Sequence, residues 1–370
     1  GEVGGEHGGG PGGGGAAPQG FVFDWSIVVV MGVSVATLAA AGLTARRQEK
    51  WKEKMRERGD VGELESAEAA PDVVINEKIA VGIFVLNVTT LILLYFFLSK
   101  VFFTIITIFF TVMSIQSLSL QLSMLLEFAW KNQRSYTLLG ISFSATDLVS
   151  FAVATALGIL WAVKRFWVLQ DILGVSIMLT VLGFLKIPNL KVACILLPLV
   201  LFYDVFFVFI QPAVFHDESF MKRVATGGGL NELMPMTIII PAFVQHGKDR
   251  EFSLLGYGDI ILPGLLVVFM ARFDVLRQYS FAKGYFLLEM FGYVLGLVLT
   301  VLALSVNIGG QAGQPALLYL VPCTLGPALV ASYLRGDLRT LFYLGTTRSQ
   351  DGEDGEQLAA EREALIETPA

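Results

Sequence analysis

Two aspartates in apolar segments are the residues of this chain that point most directly to chemistry. Asp204 lies within Leu201-Phe202-Tyr203-Asp204-Val205-Phe206, and Asp259 lies within Leu255-Gly256-Tyr257-Gly258-Asp259-Ile260. Each segment belongs to an apolar run long enough to cross a bilayer. Because a charged side chain at the bilayer centre costs roughly 2.5–3.5 kcal/mol on insertion scales, an aspartate there indicates a functional site.

Brought together from two helices, these aspartates could form an acid–base pair. Neighbouring carboxylates cannot both ionise readily, so they titrate as one unit that shares a proton. One carboxylate can act as base on a water molecule while the protonated one polarises a peptide carbonyl. Neither Asp204 nor Asp259 has a basic partner at the i±3 or i±4 positions of its own helix. Burial is therefore expected to disfavour the charged form of both.

Other uses of acidic residues and other hydrolytic chemistries have to be weighed against this pair. An intramembrane aspartate can also be a structural hydrogen-bonding group or part of an ion path. The three histidines lie in the Gly-rich N-terminal segment or in a long loop, which excludes an intramembrane zinc protease and a Ser–His protease. No metal and no cofactor is predicted. Four further acidic residues are expected to be end-of-helix or packing groups: Asp24, Asp147, Asp171 and Glu289.

The composition defines the environment in which this chemistry would operate. The chain has 370 residues, of which 54% are hydrophobic and 16% charged, against about 25% charged in a soluble domain. Apolar runs of about 20 residues recur, which is the length of a membrane-spanning helix. The sequence predicts an all-α polytopic membrane protein. Nine spans are expected: Phe21–Leu43, Ile79–Leu98, Val101–Leu126, Ser142–Val163, Phe166–Leu185, Val192–Ile210, Phe252–Phe273, Gly284–Val306 and Pro315–Leu334.

The distribution of Lys and Arg predicts the orientation of these spans. With the N-terminus outside, 19 basic residues fall on the cytosolic side and 7 on the other, together the 26 of the chain. The N-terminus is then luminal or extracellular and the C-terminus cytosolic. Four parts result. They are a Gly-rich linker (1–20), a bundle of spans one to five (21–185) with a basic cytosolic loop (44–78), a catalytic part with spans six to nine (186–340) and a luminal loop (212–251), and an acidic cytosolic tail (341–370).

One apolar stretch of the luminal loop is too short to be a span. Leu230–Val244 contains about 15 residues and prolines at 235 and 241, whereas a spanning helix needs about 20. The sequence predicts an extended segment near the membrane surface instead.

Small residues and a proline accompany the two aspartates. Gly256 and Gly258 precede Asp259 and would allow a neighbouring helix or a peptide backbone to approach closely. Tyr203 is adjacent to Asp204 but about 100° away around the helix, so it need not face the same site. Gln314-Pro315-Ala316-Leu317 opens the ninth span, where proline is also an ordinary helix start.

Taken together and in this order, the three motifs resemble the GxGD intramembrane aspartyl proteases, the presenilin and signal peptide peptidase family. The motifs are Tyr203-Asp204, Gly256-Tyr257-Gly258-Asp259 and Pro315-Ala316-Leu317, on the predicted sixth, seventh and ninth spans. The similarity covers about residues 21–340. Longer stretches resemble the signal peptide peptidase-like branch, including Trp167-Val168-Leu169-Gln170-Asp171 and Gly313–Cys323.

The resemblance implies roles for these residues. Asp204 and Asp259 would be the catalytic pair, and Pro315-Ala316-Leu317 would border the active site and help to hold the substrate. Together with the predicted orientation, it implies type II membrane proteins as substrates. The most similar subgroup carries a luminal protease-associated domain before the first span. Here the Gly-rich segment occupies that place, and a signal peptide or further domain is expected upstream of Gly1.

The sequence therefore predicts an intramembrane aspartyl endopeptidase with a presenilin/signal peptide peptidase-like fold. Its expected partners are type II transmembrane substrates and the lipid bilayer, with no nucleic acid, and a homo-oligomer is compatible with the sequence. The alternatives are a transporter or channel that uses the aspartate pair for protons or cations, and a non-catalytic scaffold. No internal repeat of the kind that transporters often carry is visible.

A short motif near the C-terminus bears on the compartment. Glu361 precedes the pair Leu365-Ile366 by four positions, which resembles the acidic dileucine signals read by clathrin adaptors. Such a signal would direct the protein to an endosome, lysosome or vacuole membrane. The ER or Golgi is the alternative.

Overall fold

The structure is a computed structural model, and it describes part of the chain. The Gly-rich segment, most of the predicted luminal loop and the C-terminal tail with its Leu365-Ile366 pair lie outside the described residues. The described residues are 24–59, 73–97, 100–129, 135–138, 141–211, 235–243, 252–306 and 314–345.

Nine long helices form the described part of the chain, and the prediction of an all-α polytopic membrane protein is confirmed. Seven contain segments that are long and apolar enough to cross a membrane; α2 and α7 are the other two. The number of spans, nine, stays a prediction. The helices are α1 (Trp25–Arg58), α2 (Glu77–Phe97), α3 (Lys100–Ala129), α4 (Ala145–Lys164), α5 (Trp167–Phe184), α6 (Leu190–Val205), α7 (Tyr257–Leu276), α8 (Tyr285–Ser305) and α9 (Leu317–Leu334).

Polar side chains satisfy the first backbone amides of several helices. Asp24 accepts a hydrogen bond from the Ser26 amide at the start of α1, with a distance of 2.7 Å. Asp147, in the first turn of α4, accepts one from the Ser144 amide at 2.9 Å. Helix N-termini have unpaired N–H groups, which such oxygens satisfy. The expected end-of-helix role is thus confirmed for these two aspartates.

Helix α1 is longer than predicted. It continues from the predicted end at Leu43 to Arg58, so the first part of the expected basic loop (44–78) is helical. Residues 44–58 contain neither Gly nor Pro, and their Ala, Arg, Glu, Gln and Lys residues are good helix formers. The helix ends where Gly59 adopts a left-handed conformation with φ of 73°. Charge keeps these residues out of lipid but does not stop the helix.

Six short strands pair into three two-stranded sheets. Strand β1 (Val73–Val74) pairs in parallel with β4 (Leu185–Lys186), and β2 (Ser135–Leu138) pairs antiparallel with β3 (Ile141–Ser144). Strand β5 (Thr237–Pro241) pairs antiparallel with β6 (Phe252–Gly256), with Thr237 opposite Gly256 and Pro241 opposite Phe252. The third sheet leads directly into α7.

The β5–β6 sheet corrects one predicted boundary and confirms another prediction. The seventh span was predicted to begin at Phe252, which is wrong: Phe252–Gly256 is a strand, and the helix begins at Tyr257. The partner strand β5 supplies backbone hydrogen bonds that these residues would otherwise make within a helix. The extended conformation predicted for the apolar part of the loop is confirmed at Thr237–Pro241, where Ile238, Ile239 and Ile240 are buried. Residues 230–234 and 244 of that prediction lie outside the described residues.

Helix α7 lies at the centre of the helical bundle. It packs against α1, α5, α6, α8 and α9, and every residue from Pro263 to Val275 is buried. Its C-terminal end is fixed by Asp274, which forms an ion pair with Arg46 at 2.9 Å and accepts the backbone amides of Tyr285 and Phe286. Asp274 thus joins the C-terminal end of α7 to α1 and to the start of α8.

Candidate active site

Asp204 occupies the penultimate position of α6. Its side chain is buried, with 5% of the residue exposed. The backbone after it widens into a π-helical turn, Phe206–Ile210, which continues the helix. Such π-turns interrupt regular helical hydrogen bonding and often occur at functional sites. The local sequence is thus helical on both sides of Asp204, with a change of pitch immediately after it.

The first residue of α9 contacts Asp204 directly. The Leu317 amide donates a hydrogen bond to Asp204 Oδ2, with a distance of 3.0 Å. Pro315, Ala316 and Leu317 are all buried, and Gln314 before them is half-buried. Because the N-terminus of a helix carries exposed N–H groups and partial positive charge, it favours a carboxylate at this position. The Pro-Ala-Leu motif and the first aspartate therefore meet in one place.

Asp259 is the third residue of α7. Gly256 is the N-cap of this helix, and its backbone amide donates a hydrogen bond to the Asp259 carboxylate. This is the back half of a capping box, in which an acidic residue at the third helical position satisfies the cap amide. Asp259 is half-buried and Gly258 is exposed. The second carboxylate therefore sits at a helix start and retains an open side.

The two aspartates interact electrostatically, although they come from separate helices. A carboxylate pair at close range holds a proton more readily than either group alone. Protonated and ionised carboxyls side by side can act together as acid and base. Within the described residues, no group of three or more His, Cys, Asp or Glu side chains could hold a metal ion.

The other predicted site residues lie either beside the aspartate pair or in the helices that surround it. Tyr203 is half-buried and its ring packs against Phe207, with 5.0 Å between the centroids. The Tyr257 ring is buried against α5, where its hydroxyl donates to the Gln170 carbonyl at 3.5 Å. A Cβ at Gly174 would overlap this hydroxyl. The Tyr257 side chain thus anchors the start of α7 on α5.

Sequence reasoning overlooked the contacts of two polar residues on α5. The Gln170 side chain donates to the Thr237 carbonyl at 3.1 Å, and Asp171 Oδ1 accepts the Ile239 amide at 2.9 Å. Asp171 was expected to be an end-of-helix or packing group, but it binds strand β5. Two adjacent polar residues inside an apolar helix were the signal that could have revealed this contact.

Glu289 is the last of the four further acidic residues singled out in the sequence. It lies in α8 with 0% of the residue exposed, and neither carboxyl oxygen has a hydrogen-bond partner among the described residues. It is close enough to Asp274 to interact with it electrostatically. A carboxyl group with no partner in an apolar interior is costly, and its position is away from a helix end. The end-of-helix alternative for Glu289 is therefore wrong.

The fold and the site define a class: a polytopic helical membrane protein with an aspartate pair at the start of one helix and the end of another. A family model described as signal peptide peptidase matches residues 66–348. The chain belongs to the signal peptide peptidase family.

Three relatives illustrate the similarity. Signal peptide peptidase-like 3 of Arabidopsis thaliana is 42% identical over 214 residues, covering 56% of this chain and 39% of the relative. Signal peptide peptidase-like 2B of Gallus gallus is 34% identical over 355 residues, covering 90% of this chain and 58% of the relative. Signal peptide peptidase-like 2A of Homo sapiens is 41% identical over 198 residues, covering 50% and 37%. The matches thus span between about two fifths and three fifths of these relatives. No solved structure matches the chain significantly.

Proposed function

We propose that this chain is an intramembrane aspartyl endopeptidase that hydrolyses peptide bonds within the transmembrane segments of type II membrane proteins. Asp204 and Asp259 are the catalytic pair of this proposal. One observation carries it: two aspartates from separate helices interact, and one of them is bound by the Leu317 amide at 3.0 Å. Family membership supports the same reaction.

In the proposed reaction the pair holds one proton. The ionised carboxylate takes a proton from a water molecule as the water oxygen attacks the peptide carbonyl carbon. The protonated carboxyl donates to the carbonyl oxygen. In the second step the leaving amine takes up a proton from the pair and the C–N bond breaks, while a hydroxyl of the tetrahedral intermediate returns its proton to the pair as the new carboxyl group forms. The half-buried position of Asp259 provides a side from which water and substrate can approach.

The peptide bonds of a transmembrane helix are hydrogen-bonded internally, so the segment to be cut must first unwind. From the sequence, strand addition to Pro315-Ala316-Leu317 and to the extended stretch around Ile238-Ile239-Ile240 is the expected way of holding the unwound segment. The Ile239 amide, however, already donates to Asp171. In an antiparallel pair, residues alternate between facing the partner strand and facing outward. Leu254, opposite Ile239, therefore directs its backbone groups to the outer edge of β6, which is where we place the substrate strand.

Orientation and compartment are part of the proposal. The helical extension of α1 carries seven basic residues between positions 46 and 58. The first of them lies three residues after Leu43, where the apolar part of the helix ends. Placing it in the cytosol follows the positive-inside rule and puts the N-terminus in the lumen. The Leu365-Ile366 pair is then cytosolic, as an adaptor-read signal requires, and an endosome, lysosome or vacuole membrane is the proposed location.

The proposal can be tested with purified full-length protein in proteoliposomes. The substrate is a labelled peptide that spans the membrane in type II orientation, and mass spectrometry identifies the products. We expect cleavage by the wild-type chain and none by Asp204→Asn or Asp259→Asn. Asp147→Asn is the matched control, because Asp147 caps α4 and the amide can still accept the Ser144 hydrogen bond.

Turnover close to wild type in either site variant would refute the two-aspartate mechanism. Ion flux that depends on Asp204 and Asp259, without any cleavage, would instead support the transporter alternative.

A further inference from the structure

Two adjacent side chains of α5 occupy backbone groups of strand β5. Gln170 Nε2 donates to the Thr237 carbonyl at 3.1 Å, and Asp171 Oδ1 accepts the Ile239 amide at 2.9 Å. Both side chains are buried, with 6% and 8% of the residues exposed. The side-chain donor of Gln170 thus meets a carbonyl of the strand, and the side-chain acceptor of Asp171 meets an amide. The two strand residues are two positions apart, so their backbone groups point to the same edge of the strand.

The register shows which edge of β5 this is. Tyr257, the residue after β6, donates its amide to the Met236 carbonyl at 3.1 Å. The backbone N–H and C=O groups of residues 236, 238 and 240 therefore point towards β6, since bonded and non-bonded positions alternate in an antiparallel pair. The backbone groups of Thr237 and Ile239 point to the opposite edge of β5. Gln170 and Asp171 consequently cover the outer edge of the sheet in the place of a third strand.

The covered strand also leads to the candidate catalytic residues. Thr237 lies opposite Gly256 in the sheet, and the Gly256 amide binds the Asp259 carboxylate. The Tyr257 hydroxyl donates to the Gln170 carbonyl. Gln170 thus holds this junction twice, through its side chain on β5 and through its backbone on the first residue of α7. A displacement of β5 would shift the cap of the helix that carries Asp259.

We propose that Gln170 and Asp171 act as a positioning pair. They close the outer edge of β5 and fix the junction between β6 and α7, so that a substrate strand is accepted only at β6 and is presented to Asp259 in one register. The inference rests on the proposed proteolytic function. It adds two residues that touch neither the aspartate pair nor the scissile bond.

The chemistry of the pair determines the informative variants. Only one oxygen of Asp171 has a hydrogen-bond partner among the described residues. Asp171→Asn retains an acceptor for the Ile239 amide, whereas Asp171→Ala leaves that amide unpaired. Gln170→Leu removes the donor to Thr237. Ser176→Ala is the matched control, because its buried hydroxyl lies on the same helix and, among the described residues, bonds only to the Ile172 carbonyl.

The first measurement is backbone hydrogen exchange of the full-length protein in proteoliposomes. We expect at least about tenfold faster exchange at residues 237–240 and 252–256 in Asp171→Ala and in Gln170→Leu, because the strand edge can then open without breaking the hydrogen bond from the replaced side chain to β5. Asp171→Asn and Ser176→Ala should exchange like the wild type. This readout does not depend on activity. Unchanged exchange in both Asp171→Ala and Gln170→Leu would overturn the positioning pair.

The second measurement is cleavage, per mole of folded protein, with the products identified by mass spectrometry. We expect kcat to fall about tenfold in Asp171→Ala, with cuts spread over neighbouring bonds, since a loosened strand admits several registers. Asp171→Asn should restore the single cut. A proportional loss of folded protein, with kcat and cut position unchanged, would show a merely structural role and overturn the proposal. If the wild type cleaves nothing, the proposed function fails, and hydrogen exchange still decides whether the pair holds the sheet.

Discussion

The backbone amide of Leu317 lies 3.0 Å from Asp204 Oδ2 and donates a hydrogen bond to it, which joins the start of α9 to the end of α6. The bond is buried, and the two residues are 113 positions apart in the chain. It places the Pro-Ala-Leu motif against the first aspartate, although the motif itself has no ionisable side chain. This contact also makes it possible to separate the proposed catalytic role of Asp204 from its structural role.

Replacing Asp204 by Asn or by Ala should abolish cleavage equally but change stability differently. The amide oxygen of Asn can still accept the Leu317 hydrogen bond, whereas Ala leaves a buried N–H without a partner, at a cost of about 1–3 kcal/mol. Activity should fall by about a thousandfold or more in both, because members of a catalytic unit act together. Thermal unfolding in detergent and the peptide assay measure the two effects. Equal stability of both variants would argue against the hydrogen bond.

Gly258→Ala should separate folding from substrate access. A Cβ at Gly258 would meet no atom within 4 Å, so no neighbouring helix requires this glycine. In a helix, Ala is favoured over Gly by up to about 1 kcal/mol, and the variant should fold at least as well as the wild type. If a peptide backbone approaches this side of Asp259, the methyl group should lower kcat/KM by about tenfold or more.

Gly326→Ala is the control for this experiment, because it also adds a methyl group in open space on a helix. It should leave kcat/KM unchanged. Full activity of Gly258→Ala would show that the substrate does not pass close to this residue.

Gly174→Ala should destabilise the protein, whereas Gly183→Ala on the same helix should not. An added Cβ at Gly174 would overlap the Tyr257 hydroxyl, while one at Gly183 meets nothing within 4 Å. Overpacking of a buried contact typically costs about 1–3 kcal/mol. Combining Gly174→Ala with Tyr257→Phe should recover part of the loss, since the clash is nearest to the hydroxyl oxygen. Thermal unfolding of Gly174→Ala, Gly183→Ala, Tyr257→Phe and the double variant gives the comparison, and no recovery in the double variant would contradict the contact.

Glu289→Met should stabilise the fold. The buried carboxyl has no hydrogen-bond partner among the described residues, and an apolar side chain of similar length removes a desolvation cost of about 1–3 kcal/mol. Asp274→Asn is the contrasting variant. It weakens the buried pair with Arg46 and should lower stability by about 3–5 kcal/mol. A lower melting temperature for Glu289→Met would reveal a partner for this carboxyl, and a gain in stability with a loss of cleavage would give it a functional role.

Replacing Leu365 and Ile366 by Ala should redirect a tagged full-length chain from endosomal or vacuolar membranes to another membrane compartment. An adaptor-read signal depends on the two apolar side chains, so removing both should abolish recognition. Leu358→Ala, elsewhere in the acidic tail, is the control and should not change the distribution seen by imaging. An unchanged distribution of the double variant would refute the signal without affecting the protease proposal.

The sequence alone determined the features that depend on residues close together in the chain. Long apolar runs predict helices because a backbone in lipid must satisfy its hydrogen bonds internally. Asp204 and Asp259 stand out because the cost of placing a carboxylate among apolar residues is a property of the immediate sequence. Capping by Asp24 and Asp147 is local for the same reason, since each contacts a backbone amide within three residues.

Only the tertiary structure decided the points that depend on contacts between distant segments. Phe252–Gly256 has the apolar character of a span, and it becomes a strand because Thr237–Pro241 pairs with it. Asp171 has the sequence context of a packing residue, and its role comes from the Ile239 amide on another element. The Leu317 amide has no side-chain signature at all. Such pairings depend on how the elements meet in space, which the order of residues along one helix does not specify.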